Sequence, residues 1–164
     1  MKKRIDIFFF FLVLVIAVFF SFYRVEKKVI LTVYNADNGK TIEIPLQNNE
    51  FTHVFIHSIQ KTPVYEDFKV EDNKKLHLIR TRYFSLGIGL PYAEEGKFEN
   101  QNGEFVMEMN RFFDTLPIRV SPLKGHGIIA NGIMYNFLDF SSPNDLIIIS
   151  AKVRWIIKNI KGGS

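Results

Sequence analysis

Apolar positions along the chain follow two regimes. Residues 7–23 read IFFFFLVLVIAVFFSFY, without a charge, a glycine or a proline. An unbroken run of about 17 such residues predicts a helix of roughly 26 Å, close to the length needed to cross a bilayer. After it the pattern shifts to short β-branched and aromatic stretches separated by polar turns. Residues 29–34 stop at Asn35-Ala36-Asp37-Asn38-Gly39, where Asn-Gly predicts a hairpin tip. Residues 40–46 return with Ile42 and Ile44 alternating against Thr41 and Glu43. Further strands are predicted over 51–58, 63–70, a long extended stretch 76–90, and 104–109. No convincing helical period follows the N-terminal segment, although residues 110–116 could form one turn. In the last element, 146–157, Ile147, Ile149, Ala151, Val153, Trp155 and Ile157 share one parity, against Ser150, Lys152 and Arg154 on the other. That alternation predicts one buried face, with Trp155 in the core. The expected fold is all-β, a small sandwich or barrel of about 8–10 short strands, preceded by one N-terminal transmembrane helix.

Charge fixes the expected orientation of that helix. Lys2, Lys3 and Arg4 precede it, so the positive-inside rule keeps the N-terminus cytoplasmic and sends the domain outward; Arg24, Lys27 and Lys28 weaken the bias. The exit, Val18 through Tyr23, is bulky, whereas signal-peptide cleavage wants small residues. An uncleaved signal-anchor over 1–24 is therefore preferred to a cleaved signal, with an extracytoplasmic β-domain over 25–161 and a flexible tail over 162–164. The expected location is the cell membrane, single-pass, with the C-terminal domain outside. Without Lys2, Lys3, Arg4 and Asp6 the remainder holds 18 basic and 16 acidic residues. A charge of about +2 gives no reason to expect nucleic acid as a partner. There is no cysteine, so the domain holds through its core alone.

One polar constellation stands out. Residues 51–58 and 63–70 read as two arms of a hairpin. With a connection over 59–62, His57 lies opposite Val64 and Phe55 opposite Glu66, making His57 and Glu66 diagonal neighbours. Glu66 shares its parity with Val64, Phe68 and Val70, and a carboxylate on an apolar face requires a partner. His57 is the expected one, with Ser58 or Arg82 assisting. A core ion pair, a ligand-binding pocket and a catalytic pair are the three readings. His53 and His57 are about 13 Å apart along a strand, too far for one ion. A metal would need ligands such as His77 or His126 brought from elsewhere, and neither metal nor cofactor is expected. Gly87 and Gly89 alternate with Leu86, Ile88 and Leu90, marking a bulge or a pocket wall. Leu76 and Leu78 share parity with Arg80 and Arg82, which a bulge near Arg80 would reconcile.

Several enzyme classes are argued against. A sortase needs a thiolate, which this chain cannot supply. The nucleophile motif and lysine box of signal peptidases are absent. Ser121-Pro122-Leu123-Lys124 matches S-x-x-K, but without the S-D-N and K-T-G companions it reads as chance.

The string His57-Ser58-Ile59-Gln60-Lys61-Thr62-Pro63-Val64-Tyr65-Glu66, followed by Gly87-Ile88-Gly89-Leu90-Pro91, resembles a bacterial family, the domain of unknown function numbered eighteen-fifty. Its members have one N-terminal hydrophobic segment, an H-S-x-x-x-T-P-x-x-E stretch and a later G-x-G-[LM]-P. The resemblance spans roughly residues 51–91. It implies an accessory role beside TRAP transporters of the TAXI type, which import organic acids. The partners it implies are transporter subunits or a solute-binding protein, and a small organic acid. It supplies no catalytic residues. Three functions follow as expectations: a membrane-tethered accessory or ligand-binding module, a structural interaction domain of the envelope, or an unrecognised envelope hydrolase.

Overall fold

The computed structural model describes residues 2–85 and 96–159. Among these residues one helix, α1 (Lys2–Phe22), precedes eleven strands, slightly more than the pattern predicted. Strands β1 (Tyr23–Asn35), β2 (Thr41–Pro45), β8 (Leu116–Arg119) and β11 (Leu146–Asn159) form a four-stranded sheet in the order β2-β1-β11-β8. The others are β3 (Glu50–Ile56), β4 (Pro63–Val70), β5 (Leu76–Tyr83), β6 (Phe98–Gln101), β7 (Glu104–Phe113), β9 (Gly127–Ala130) and β10 (Ile133–Asn136). They form a seven-stranded sheet in the order β10-β9-β3-β4-β5-β7-β6. A 3-10 turn, Phe137–Asp139, follows β10.

The chain divides into two compact units, one made of Met1–Lys28 with Arg154–Ser164, the other of Val29–Val153. In the second unit both sheets contribute to one hydrophobic core. Leu31, Val33, Ile44, Ile147 and Ile149 come from the four-stranded sheet, and Phe51, Phe68, Leu76, Met107 and Ile128 from the other. Phe51 and Phe68 are directly opposed across β3 and β4, their rings stacked 5.1 Å apart. Such cross-strand aromatic pairs lock register as well as bury surface.

The hairpin expected at Asn38-Gly39 is present. Tyr34 pairs with Thr41, and Gly39 sits at φ +76°, a conformation open to glycine without strain. The bulge expected near Arg80 is also present. The β5 register shifts between Leu78 and Arg80 against β7, leaving Ile79 outside the ladder. Two expectations fail. Residues 110–113 are strand, not a helical turn, because Leu76, His77 and Leu78 recruit Phe113, Phe112 and Arg111 into the sheet. Trp155 is 67% exposed, whereas Ile147 and Ile149, of the same parity, are fully buried. Val153 is the last residue of its unit, so the alternation of β11 outlasts the core it serves.

Among the described residues no helix is long and apolar enough to cross a membrane. The expected strand over 76–90 is seen as β5 to Tyr83; Gly87, Gly89 and Pro91 lie outside the described residues.

Candidate functional site

The β3–β4 hairpin turns two residues earlier in register than the sequence pattern suggested. His57 N donates to Thr62 O and Lys61 N to His57 O, each at 2.9 Å, so the loop is residues 58–61. Lys61 takes the left-handed conformation at φ +54° that closes such a loop. The His57 ring faces the loop, with Nδ1 3.4 Å and 3.3 Å from the Ile59 and Gln60 amides. His57 and Ser58 are thus turn residues, and the expected His57–Glu66 pair does not form. Phe55 pairs with Val64, and Glu66 lies opposite His53. Because the shift is by two, Glu66 keeps the face its parity assigned and changes only its partner.

That partner opens a buried chain of polar groups. His53 Nδ1 lies 2.8 Å from Glu66 Oε2, and His53 Nε2 lies 3.1 Å from His126 Nε2. Ser121 N donates to His126 Nδ1 at 2.9 Å. The protons of both rings follow from this last bond. A backbone N–H can only donate, so His126 Nδ1 is a bare acceptor and the ring proton sits on Nε2. That proton is donated to His53 Nε2, which places the His53 proton on Nδ1, donated in turn to Glu66. Phe137 packs against both rings, 6.2 Å from His53 and 4.9 Å from His126. Burial in this apolar setting, and beside it the His53 ring, lower the His126 pKa to about 4.

The chain has little chemistry to offer a substrate. All four ring nitrogens are engaged, so none remains to deprotonate a nucleophile. A metal between the two Nε2 atoms would require the His126 proton on Nδ1, where the Ser121 amide already points. Among the described residues no group of three metal-ligating side chains comes together.

The opposite face of the same strands carries a second cluster, built round the buried Asp67. Thr52 and Asp67 pair across β3 and β4 with side chains of the other parity. The Ile79 bulge turns Arg80 and Arg82 onto this face, although Leu78, two positions earlier, is buried. Asp67 accepts from Arg80 Nε at 2.7 Å, Arg82 Nε at 2.9 Å, Arg82 NH2 at 3.1 Å and Thr52 Oγ1 at 2.8 Å. Burial alone would raise the Asp67 pKa, but the hydrogen bonds from Arg82, Thr52 and Arg80 outweigh it and hold the carboxyl below its ordinary value. Arg82 also reaches Glu104 at 3.3 Å and lies over the Tyr65 ring at 4.9 Å. It therefore does not reach for Glu66, the assisting contact expected from sequence. Arg80 spends only Nε on Asp67; its terminal NH1 and NH2 have no partner among the described residues. Arg80 lines a groove of about 450 Å³, together with Thr52, Asp67, Arg82, Glu50 and Asn131 among others.

Of the residues singled out from sequence, His57 and Ser58 lie at the hairpin turn, Glu66 on the inner face and Arg82 on the outer one, while Gly87 and Gly89 fall outside the described residues. The four described ones are not one cluster. Sequence reasoning weighed His53 and His126 only as metal ligands and Arg80 only as a bulge position, and it passed over Asp67. The parity of Asp67 opposite Glu66, and of Arg80 and Arg82 once the bulge is accepted, was a usable signal for the outer set.

A family model described as Domain of unknown function (DUF1850) matches residues 51–137, more than half of the chain. The chain belongs to the DUF1850 family. The matched segment holds both polar clusters, from His53 to His126, and the strands β3–β7, β9 and β10 that carry them. No curated protein and no solved structure matches this DUF1850 chain.

Proposed function

We propose that this DUF1850 protein is a membrane-tethered, extracytoplasmic module that binds a small organic acid and works beside a TRAP-type transporter or its solute-binding protein. One observation carries the reading: Arg80, with both terminal guanidinium nitrogens unspent, lines a groove of substrate size. A planar fork of that kind suits a carboxylate, which it binds with two parallel hydrogen bonds. Asp67 orients the fork through Nε and leaves its far edge for a ligand. Arg82, held by both Asp67 and Glu104, stiffens the floor and adds positive charge. Among the described residues the groove offers binding groups and no activated nucleophile, which favours a binding module over a hydrolase.

The tether is the apolar N-terminal stretch. Phe9, Phe10, Phe11 and Phe20 of α1 are each 58–68% exposed, an arrangement unfavourable in water at about 25 cal/mol per Å² of apolar surface. Insertion of residues 7–23 into lipid relieves that cost. The family resemblance supplies the transporter as partner. The test is cross-linking of the full chain in its native membrane, followed by identification of the linked proteins. A TRAP permease subunit or solute-binding protein is the expected product. Recovery of the chain in the soluble fraction, with its N-terminus removed, contradicts the tether. Cross-links that persist with unrelated envelope proteins alone contradict the transporter.

A further inference from the structure

Charge is unevenly divided between the two compact units. Met1–Lys28 with Arg154–Ser164 holds nine of the 21 basic residues and only Asp6 and Glu26 among the acids. Val29–Val153 holds twelve basic and fifteen acidic residues, so the positive charge of the protein belongs to the first unit alone. In that unit two strand ends lie in neighbouring strands of one sheet, residues 23–28 of β1 and 154–159 of β11. They carry Arg24, Lys27, Lys28, Arg154 and Lys158 against a single acid, Glu26.

The same strand ends expose apolar side chains. Tyr23 is 37% exposed, Val25 45%, Trp155 67% and Ile157 64%. The sequence pattern of β11 marks Trp155 and Ile157 as residues that bury, yet protein does not bury them. The Tyr23 ring stacks on Phe19 at 4.8 Å, joining the last turn of α1 to the first residue of β1. Tryptophan and tyrosine among basic residues, at the end of an apolar helix, match the headgroup layer of a bilayer. There an indole finds both apolar and wet surroundings, and a basic side chain meets lipid phosphate.

We propose that the paired strand ends, residues 23–28 and 154–159, form a collar that lies in the headgroup layer and binds anionic phospholipid. The inference rests on the tether proposed above and adds its partner. A solvated basic face alone would account for the lysines and arginines but not for Trp155 and Ile157 among them. A protein partner would account for the apolar residues, but an excess of five cations over one anion fits a surface of negative charge better. Each basic residue near such a surface adds roughly fivefold to partitioning.

The chain contains a single tryptophan, so Trp155 reports on the collar without labelling. The full chain, diluted from detergent, is mixed with phosphatidylcholine vesicles with and without about a quarter of phosphatidylglycerol. The expected result is a blue-shifted Trp155 emission that is shielded from iodide and quenched by brominated lipid tails, stronger with phosphatidylglycerol. The Arg24→Gln/Lys158→Gln variant should lose roughly 20-fold of the phosphatidylglycerol dependence and still float with neutral vesicles through its helix. Trp155 equally open to iodide in detergent and on vesicles overturns the collar, as does an unchanged lipid dependence in the variant. A chain that fails to float with neutral vesicles instead contradicts the tether, and the collar is then judged by the same Trp155 signal on phosphatidylglycerol vesicles.

Discussion

Glu66→Ala removes the terminal acceptor of the buried chain. The His53 Nδ1–H loses its partner at 2.8 Å, and the His53 side chain is only 7% exposed, so water is a poor substitute. An orphaned buried donor costs about 1–3 kcal/mol. A fully buried charged pair would cost about 3–5 kcal/mol when broken, but the Glu66 side chain is 24% exposed, which admits some solvent. The expected loss is therefore about 1–2 kcal/mol. His53→Ala breaks two links, orphans the His126 Nε2–H and leaves a cavity beside Phe137, so it should cost more, about 2–4 kcal/mol. The double variant should lose less than the two singles together, because the bond between the residues is counted twice. Glu66→Gln, which retains an acceptor oxygen, should fall between wild type and Glu66→Ala. Urea melts of the β-domain within the full chain, in detergent, measure all four. His57→Ala is the control: it perturbs an exposed turn and should cost less than Glu66→Ala. A larger loss from His57→Ala, or strictly additive losses from His53→Ala and Glu66→Ala, would refute the assignment of His53 as the partner.

Two further outcomes are expected. The folded state holds His126 neutral down to about pH 4, whereas the unfolded chain takes up a proton near pH 6.5. Stability from this residue is thus complete above pH 6.5 and lost as pH falls from 6.5 towards 4, by on the order of 2 kcal/mol after allowance for solvent screening. Urea melts across that range should show a slope that His126→Gln flattens; an equal slope in the variant contradicts the buried chain. Asp67, held below its ordinary pKa, should contribute stability that is present above its unfolded pKa near 3.8 and lost below it. Asp67→Asn weakens the hold on both guanidiniums and should cost about 1–2 kcal/mol, read by the shift of the melt midpoint.

Much of this architecture is legible in the alternation of residues. The hairpin at Asn38-Gly39, the inward face of Glu66 and the bulge near Arg80 each follow from parity and turn chemistry. The register of β3 against β4 does not. Pairing of 58 with 63 and of 57 with 62 both give a four-residue loop and the same faces. Lys61 in the left-handed conformation, with His57 turned to the loop amides, selects the second. His126 was out of reach for a different reason. It lies 73 residues from His53 and arrives through the pairing of β9 with β3, a contact that no local pattern encodes. Trp155 misled because alternation reports what a strand would bury in a core, and here the strand continues past one.

The central claim is that the groove beside Arg80 takes a small organic acid. Isothermal titration of the full chain in detergent, against a panel of short mono- and dicarboxylates, tests it most directly. Micromolar to millimolar binding of at least one acid is predicted, weakened by tenfold or more in Arg80→Ala, about 1.4 kcal/mol, and unchanged in His57→Ala. Binding that survives Arg80→Ala intact, or no binding across the panel by a correctly folded chain, would contradict it.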